Sequence, residues 1–353
     1  MIDIPSKIRI FVLPQIRRRQ YLARYISFLF IGFLLLGCQF NSSDANTTTS
    51  GTEYSLMPSP EDTLTRAIIY SSTDFGKTWN PAIKGLPQDT KASFFEKKGK
   101  ELILGTENRG LFMTENGKRQ WKDIGKDLPG KKINAIHAIE NELYVGVYDQ
   151  GIFLTLDEGE HWESLNANLP DLKVQAILKM NDHLFVGTDV GIFKKQAKAT
   201  AWKIKHGGMQ ILSLQNLGNT LIAGTSKGIF LSEDMGETWK EIHNQGALHY
   251  TAVVNDLIVG LYITGDVYIS SDLGKSWNSC SYEPRTAAYI YELVGLKDHL
   301  IMNNSYGVFR SMDKGNNWEH CFKEERFTFF DLITVGDTIY GGTRPADEYR
   351  NRR

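Results

Sequence analysis

The sequence predicts an all-β fold, a seven-bladed β-propeller of four-stranded antiparallel blades, because one short motif recurs along it. The motif is clearest at residues 232–239, Ser-Glu-Asp-Met-Gly-Glu-Thr-Trp, which follow the apolar residues 229–231. Each of the seven tryptophans closes one copy: Trp79, Trp121, Trp162, Trp202, Trp239, Trp277 and Trp318. The steps between them are 42, 41, 40, 37, 38 and 41 residues. A period of about forty residues, built of short apolar segments, is typical of propeller blades.

Each copy of the motif is interpreted as a tight turn between two strands. Its glycine favours the positive φ of a short hairpin, and the aspartate two residues earlier can accept hydrogen bonds from the turn's own N–H groups. The leading Ser or Thr adds a hydroxyl, and the tryptophan fills the gap between neighbouring sheets. Carboxylates spread around a ring and bound in their own turns do not act together, so we interpret them as structural. They are Asp74, Asp157, Asp234, Asp272 and Asp313.

Four strands are expected in each repeat. The first is an inner strand, such as residues 133–139 or 174–180, and the second is an apolar run that ends in glycine, as at residues 143–146. The third strand leads into the motif, and the fourth starts at the tryptophan. Both faces of such a sheet contact neighbouring blades, which explains apolar runs without strict alternation.

The two ends of the repeat array complement each other. Residues 67–72 and the segment from Trp79 onward provide a third and a fourth strand, whereas residues 328–333 and 338–343 provide a first and a second. We therefore predict one composite blade that pairs amino-terminal with carboxy-terminal strands, closes the ring and removes two exposed edges. The propeller is expected to span residues 66–343, with a short tail at residues 344–353.

The amino terminus has the pattern of an export signal. A basic region precedes the apolar run at residues 25–36, which is too short for an ordinary transmembrane helix. Residues 35–38, Leu-Leu-Gly-Cys, resemble the lipobox of bacterial lipoproteins, in which the signal is cut before the cysteine and the thiol carries a lipid. The resemblance implies a signal peptide at residues 1–37 and lipid attachment at Cys38.

A tether follows the predicted anchor. Residues 38–65 are rich in Ser, Thr, Asn and Pro and contain few apolar residues, a composition typical of flexible segments. Gln39, by analogy with lipoprotein sorting, implies transport to an outer membrane. We therefore expect a ring that hangs from a lipid in a bacterial cell envelope.

Composition and spacing argue against several classes of function. The formal net charge is -1 with both signs interspersed, so no basic face for nucleic acid is expected. No His or Cys cluster has metal-ligand spacing, and we expect neither a metal nor another cofactor. Cys280 and Cys321 lie at equivalent positions of adjacent blades, too far apart for a disulfide, so we expect two free thiols. The closed ring is expected to be monomeric.

The repeat resembles the Asp-box family, also called the bacterial neuraminidase repeat, over residues 66–343. This family includes sialidases, some endoglucanases, sortilin-type receptors and the photosystem II assembly and stability factor. A chain of about seven blades with an anchor and no further domain looks most like the stability-factor type. The resemblance implies a scaffold that helps to assemble or hold envelope partners.

Catalysis is not expected, although one enzymatic alternative stays open. A sialidase needs an arginine triad, and the family's Arg-Ile-Pro signature is absent near the first blade, where residues 65–68 read Thr-Arg-Ala-Ile. An endoglucanase-like carboxylate pair could be drawn from the acids on loops. Those acids are Asp149, Asp189, Glu283 and Glu324. We therefore predict a non-catalytic protein-binding scaffold, with a glycan-binding protein or a sialidase-like or endoglucanase-like glycoside hydrolase as the alternative.

The binding surface is expected on the ring face opposite the motif turns, where loops vary while the scaffold stays constant. Aromatic residues and arginines are the types that contribute most to protein interfaces, and they also stack on sugars. The candidates are Arg109, Tyr148, Asp149, Tyr262, Arg285, Tyr306 and Arg344. Further candidates on the links between blades are His206, Tyr250 and Tyr282.

Overall fold

The structure is a computed structural model of the protein. It describes residues 69–83, 85–87, 89–115, 120–196, 199–280, 282, 290–324 and 327–345. The predicted signal peptide, the tether and Cys38 lie outside these residues. Within the described part of the chain, no helix is long and apolar enough to cross a membrane.

Seven antiparallel sheets of four strands each make up the fold, which confirms the predicted seven-bladed propeller. The first strands are β3 (Ala92–Lys98), β7 (Ile133–Ile139), β11 (Val174–Met180), β15 (Ile211–Leu217), β19 (Leu248–Val254), β23 (Ile290–Leu296) and β27 (Phe327–Val335). The second strands are β4 (Glu101–Thr106), β8 (Glu142–Val147), β12 (His183–Thr188), β16 (Thr220–Thr225), β20 (Leu257–Tyr262), β24 (His299–Asn304) and β28 (Thr338–Pro345).

The outer half of each blade contains the third and fourth strands. The third strands are β1 (Ile69–Ser72), β5 (Leu111–Glu115), β9 (Gly151–Thr155), β13 (Gly191–Gln196), β17 (Gly228–Ser232), β21 (Val267–Ser270) and β25 (Gly307–Ser311). The fourth strands are β2 (Asn80–Ile83), β6 (Lys122–Asp123), β10 (Glu163–Ser164), β14 (Lys203–Gly207), β18 (Lys240–His243), β22 (Asn278–Ser279) and β26 (Glu319–Phe322). Each fourth strand begins one residue after its tryptophan, whereas the sequence predicted that it begins at the tryptophan.

The composite blade closes the ring as predicted. Its strand order is β2-β1-β28-β27, and β1 pairs antiparallel with β28 through Ile69 opposite Gly342 and Ser72 opposite Ile339. Strand β28 continues to Pro345, two residues beyond the predicted end of the ring. Blades are numbered here from blade 1 (β3–β6) to blade 6 (β23–β26), with the composite blade as blade 7. First strands of successive blades contact one another around the ring, and β27 contacts β3, so the first strands line a central channel.

Neighbouring blades pack through both faces of each sheet. The second strands are almost wholly buried, with Ile103, Val186 and Val259 each at 0% exposure. In six blades a glycine near the end of the second strand keeps the contact close, whereas blade 6 has Asn303 and Asn304 there. A Cβ on Gly187, for example, would lie 2.4 Å from the Cγ2 of Ile211 in the next blade. Burial on both sides explains why these strands are continuously apolar.

The motif turns join third to fourth strands. We call them signature turns, and the intact copies comprise residues 72–79, 155–162, 232–239, 270–277 and 311–318. Their glycines have positive φ as predicted, but so does the residue before each glycine, such as Met235 (φ 60) before Gly236 (φ 80). Two successive positive φ angles match the twist of a tight hairpin. The non-glycine residue carries a conformational cost that the hydrogen bonds of the turn offset.

Candidate functional site

The ring has two chemically different faces. The signature face carries the signature turns and the hairpins between first and second strands. The opposite face carries the loops between second and third strands and the links between blades, and we call it the loop face. Antiparallel strand order places these two sets of connections at opposite ends of every blade.

The five motif aspartates are bound within their own turns. In the turn of blade 4, Asp234 Oδ1 accepts hydrogen bonds from Ser232 Oγ (2.8 Å) and from Thr238 N (2.9 Å), and Oδ2 accepts one from Thr238 Oγ1 (2.6 Å). These bonds, the Thr238 hydroxyl first among them, lower the pKa of Asp234 to about 2. The same arrangement around Asp272 lowers its pKa to about 2. The aspartates therefore stabilise turns and are not poised for acid–base chemistry near neutral pH.

Arg109 lies on the loop face, in the loop between β4 and β5, close to the link that leads into blade 1. Its backbone N–H donates to Thr106 Oγ1, and its guanidinium donates to the carboxylate of Asp89. Both side chains are well exposed, so the pair contributes little to stability. Arg109 is therefore accessible to a partner.

Tyr148 is part of an exposed apolar surface on the loop face. Its ring is 42% exposed and lies 3.6 Å from Lys132 Nζ, measured to the ring centroid. The next residue, Asp149, has a positive φ of 55°. Gly151 N donates to Leu172 O, which brings the loop of Tyr148 beside Leu172, itself 38% exposed.

Val190 extends this surface into blade 3. Val174 pairs with Thr188 across two strands of this blade. Leu172 lies two residues before Val174, and Val190, which is 47% exposed, lies two residues after Thr188. We call Tyr148, Leu172 and Val190 the apolar rim. Sequence reasoning found only the tyrosine, because a single Leu or Val in a loop has no distinguishing pattern.

Tyr262 was predicted on the binding surface, and that prediction is wrong. It is 2% exposed, its hydroxyl hydrogen-bonds with Nδ1 of His243, and its ring packs edge-on against Tyr268. Tyr262 therefore belongs to the core between blades. Tyr282 is also buried, at 3% exposure, and donates to Gly265 O.

The remaining candidates are scattered. His206 lies in strand β14 and packs on Phe230, not on a link between blades. Arg344 lies in strand β28, and its backbone pairs with Thr328. Tyr306 is half-buried in the blade 6 loop, where its N–H donates to Asn304 Oδ1 (2.8 Å). Arg285 lies outside the described residues, as does Glu283.

The central channel contains a polar group that sequence reasoning missed. Glu96 on β3, Glu292 on β23 and Asp331 on β27 come from three consecutive blades. Asp331 Oδ2 accepts the N–H of Phe95 (2.6 Å), which ties blade 7 to blade 1. Tyr250 of β19, predicted on a link, also lies here, and its hydroxyl accepts from Gln215 Nε2 (3.0 Å) in blade 4. Glu and Asp residues within the first strands of the repeats were the sequence signal that could have revealed this cluster.

Burial raises the pKa of the channel carboxyl groups. The pKa of Glu96 is raised to about 7, because burial outweighs its backbone hydrogen bond and the charge of Lys97. Burial, followed by the charge of Asp331, raises the pKa of Glu292 well above its usual value. Both residues are half-buried, so their side chains are partly open to the channel. The channel therefore holds protonated carboxyl groups at mildly acidic pH.

Among the loop acids, Asp189 is held in place by two glutamine side chains. Asp189 Oδ1 accepts hydrogen bonds from Gln175 Nε2 and Gln210 Nε2. Cys280 and Cys321 are free thiols whose pKa values burial raises to about 11 and about 12. Within the described residues, no group of three or more His, Cys, Asp and Glu side chains could hold a metal ion.

No protein-family model matches the chain, and no curated protein matches it. Solved structures do. The extracellular domain of the putative one-component system BT4673 from B. thetaiotaomicron aligns with a TM-score of 0.61 and 15% identity, over 74% of this chain and 38% of that one. YCF48 bound to D1 peptide aligns with a TM-score of 0.60 and 16% identity, over 73% and 95%.

A hydrolase shares the fold as well. The GH74 xyloglucanase from Xanthomonas campestris aligns with a TM-score of 0.52 and 14% identity, over 72% of this chain and 46% of that one. This chain thus spans less than half of the BT4673 extracellular domain and of the xyloglucanase, and nearly all of YCF48. At such identities these structures show that the chain has the propeller fold.

Proposed function

We propose that this chain is a non-catalytic, lipid-anchored propeller of the bacterial cell envelope that binds a protein partner through its loop face. The observation that carries the proposal is the apolar rim, which presents three exposed apolar side chains on adjoining connections of one face. Contiguous exposed apolar and aromatic surface is typical of protein interfaces. Arg109 on the same face would add a polar contact at the edge of such an interface.

Two neighbouring structures support this choice. YCF48 is described as bound to a peptide, and the BT4673 propeller belongs to an extracellular domain. The first is consistent with a protein partner, and the second is consistent with a location in the envelope. The hydrogen bonds of the signature turns support membership in the Asp-box family as part of the same proposal.

The alternative is a glycan-binding protein or a glycoside hydrolase. Its candidate groups are the loop acids, of which Asp189 is engaged by two glutamine amides. The carboxylates of the intact signature turns are hydrogen-bonded within those turns. These observations favour a binding role over hydrolysis.

Affinity capture tests the proposed face. The full chain, solubilised from envelopes of its source cell, is used as bait beside a variant with Tyr148, Leu172 and Val190 each changed to serine. A matched control changes Leu156 and Met312 to serine, because both are exposed apolar residues of the signature face, at 57% and 65%. We expect an envelope protein that the parent and the control retain and that the rim variant loses.

Two outcomes would contradict the proposal. Equal retention of the protein partner by the rim variant would show that the loop face is not the interface. Retention or cleavage of envelope glycan without any enriched protein would favour the alternative, and Asp149, Asp189, Glu283 and Glu324 would then be the residues to change.

The anchor is tested separately. Changing Cys38 to serine removes the thiol that would carry the lipid, so we expect the protein to move from the outer-membrane fraction to the soluble fraction. Fractionation followed by immunoblotting measures this change, with Cys280→Ser as a control that leaves the anchor intact. Continued sedimentation of the Cys38→Ser variant with membranes would contradict lipid attachment at this residue.

A further inference from the structure

Blade 6 departs from the other repeats at the end of its second strand. Four blades have Gly-Thr at the equivalent position near the end of this strand, at residues 105–106, 187–188, 224–225 and 342–343, whereas blade 2 has Gly-Val at 146–147 and blade 5 has Leu-Tyr at 261–262. Blade 6 has Asn303 and Asn304 instead, and both are buried, at 0% and 1% exposure. Buried amides therefore occupy a position where four of the other blades have a glycine and a small hydroxyl.

The threonine of the repeat closes the loop that follows it. Thr225 Oγ1 donates to Gly228 O (2.9 Å) and accepts the N–H of Lys227 (3.0 Å). Asn304 keeps the accepting half, because its Oδ1 accepts the N–H of Tyr306 (2.8 Å). Since a backbone N–H requires an acceptor, this bond also determines which end of the amide is nitrogen.

The fold does not explain the side-chain NH₂ group of Asn304. Its Nδ2 is buried and has no hydrogen-bond partner among the residues that the structure describes. A buried donor without a partner is unfavourable, and native structures contain few of them. Threonine would satisfy the loop without this cost, as it does in other blades. Among the described residues this donor is therefore left for an acceptor that comes from outside the chain.

Asn304 lines a small cleft that opens on the loop face between blades 6 and 7. The cleft is lined by Asn304, Ser305, Gly307, Phe322, Glu324, Thr328 and Phe329. Its free space, with the solvent at its mouth included, is about 210 Å³. Ordinary ligand pockets begin at roughly 300 Å³. The cleft therefore suits a group of a few atoms at the end of a side chain and not a whole small molecule.

The lining specifies the chemistry of that group. Asn304 Nδ2 requires an acceptor, and the carboxyl oxygens of Glu324 offer an acceptor to a donor. A primary carboxamide presents C=O and N–H on the same edge, so one planar group can serve both. The trans secondary amide of a peptide bond or an N-acetyl sugar points these two groups in opposite directions.

We propose that the cleft between blades 6 and 7 binds the side-chain carboxamide of an asparagine or glutamine on a protein partner. Asn304 donates to the carboxamide oxygen, and Glu324 accepts from its nitrogen. The cleft lies beside Tyr306, one of the candidates derived from the sequence. This assignment rests on the proposed protein-binding role of the loop face and specifies one anchor point within it.

Ligand-observed NMR on the full chain in detergent tests the cleft with propanamide as the probe. Asn304→Thr installs the residue that four other blades have and removes the buried unpaired donor, so we expect a melting temperature no lower than that of the parent and propanamide binding weakened by at least about tenfold. Glu324→Ala is a second variant with the same expected loss, and Thr225→Ser at the equivalent position of blade 4 should bind like the parent.

Three results would overturn the assignment. They are absence of propanamide binding to the parent, equal binding by the parent and both cleft variants, and binding of N-methylacetamide or N-acetylglucosamine as tight as that of propanamide. Each of them removes the cleft assignment alone. The capture experiment with the apolar-rim variant tests the protein-binding role independently, because its substitutions lie in blades 2 and 3.

Discussion

Replacing Trp79 with alanine is expected to lower the free energy of unfolding by about 3–5 kcal/mol, the range for truncating a buried aromatic side chain. Trp79 is 2% exposed in the composite blade. Its ring centroid lies 4.3 Å from that of Phe329 and 6.3 Å from that of Phe322, and its indole N–H donates to Gly76 O (2.9 Å). The substitution would open a cavity where strands β1 and β2 meet strands β27 and β28.

Trp162→Ala is the matched control for this prediction. Trp162 has the same position in its repeat but is only half-buried, and its indole donates to Ile124 O in the preceding blade (3.2 Å). We expect a smaller loss, measured for both variants by urea denaturation followed through circular dichroism. If Trp79→Ala is no more destabilising than Trp162→Ala, the closure does not depend on this packing.

Raising the pH from about 4.5 to about 7 is expected to destabilise the parent relative to a Glu96→Gln variant. The folded pKa of Glu96 is about 7, above its ordinary value of 4.5. The folded state therefore keeps a proton that the unfolded chain has released, so this contribution is complete below pH 4.5 and is lost as the pH rises through 7. A shift of this size corresponds to at most about 3 kcal/mol, and channel water reduces it.

The difference between parent and variant is the correct measurement, because buried histidines act in the opposite direction. Burial lowers the pKa of His137 to about 4, so its contribution to stability grows as the pH rises from 4 to 6.5. The histidine contribution is common to both proteins and cancels. Urea denaturation at a series of pH values gives the difference, with Glu241→Gln, at an exposed position, as the matched control. A parent-minus-variant difference that stays constant with pH would show that Glu96 does not hold its proton in the folded ring.

The sequence was sufficient to derive most of the fold. Tryptophan spacing and the Ser-x-Asp-x-Gly turn predicted seven blades, and the unmatched strands at the two ends predicted the composite blade that β1 and β28 form. These features can be recognised within one repeat or by comparing one repeat with another. They do not require knowledge of how blades face one another.

The candidate site was predicted less completely, for identifiable reasons. Tyr148 and Arg109 were found because their residue types and loop positions point to a surface. Tyr262 has the same residue type at the end of a second strand, yet its ring turns into the core and bonds to His243. Leu172 and Val190 become part of one surface only where two connections meet.

Repeat length, turn chemistry and strand order are local properties, and they predict a closed ring of seven four-stranded sheets from the sequence alone. The grouping of Glu96, Glu292 and Asp331, and the cleft beside Asn304, come from packing between blades. Residues of different blades meet because the ring brings first strands together around one axis. The distances and burial that follow raise the pKa of the channel glutamates and leave the Asn304 donor facing a cleft, and no pattern along a single repeat contains that geometry.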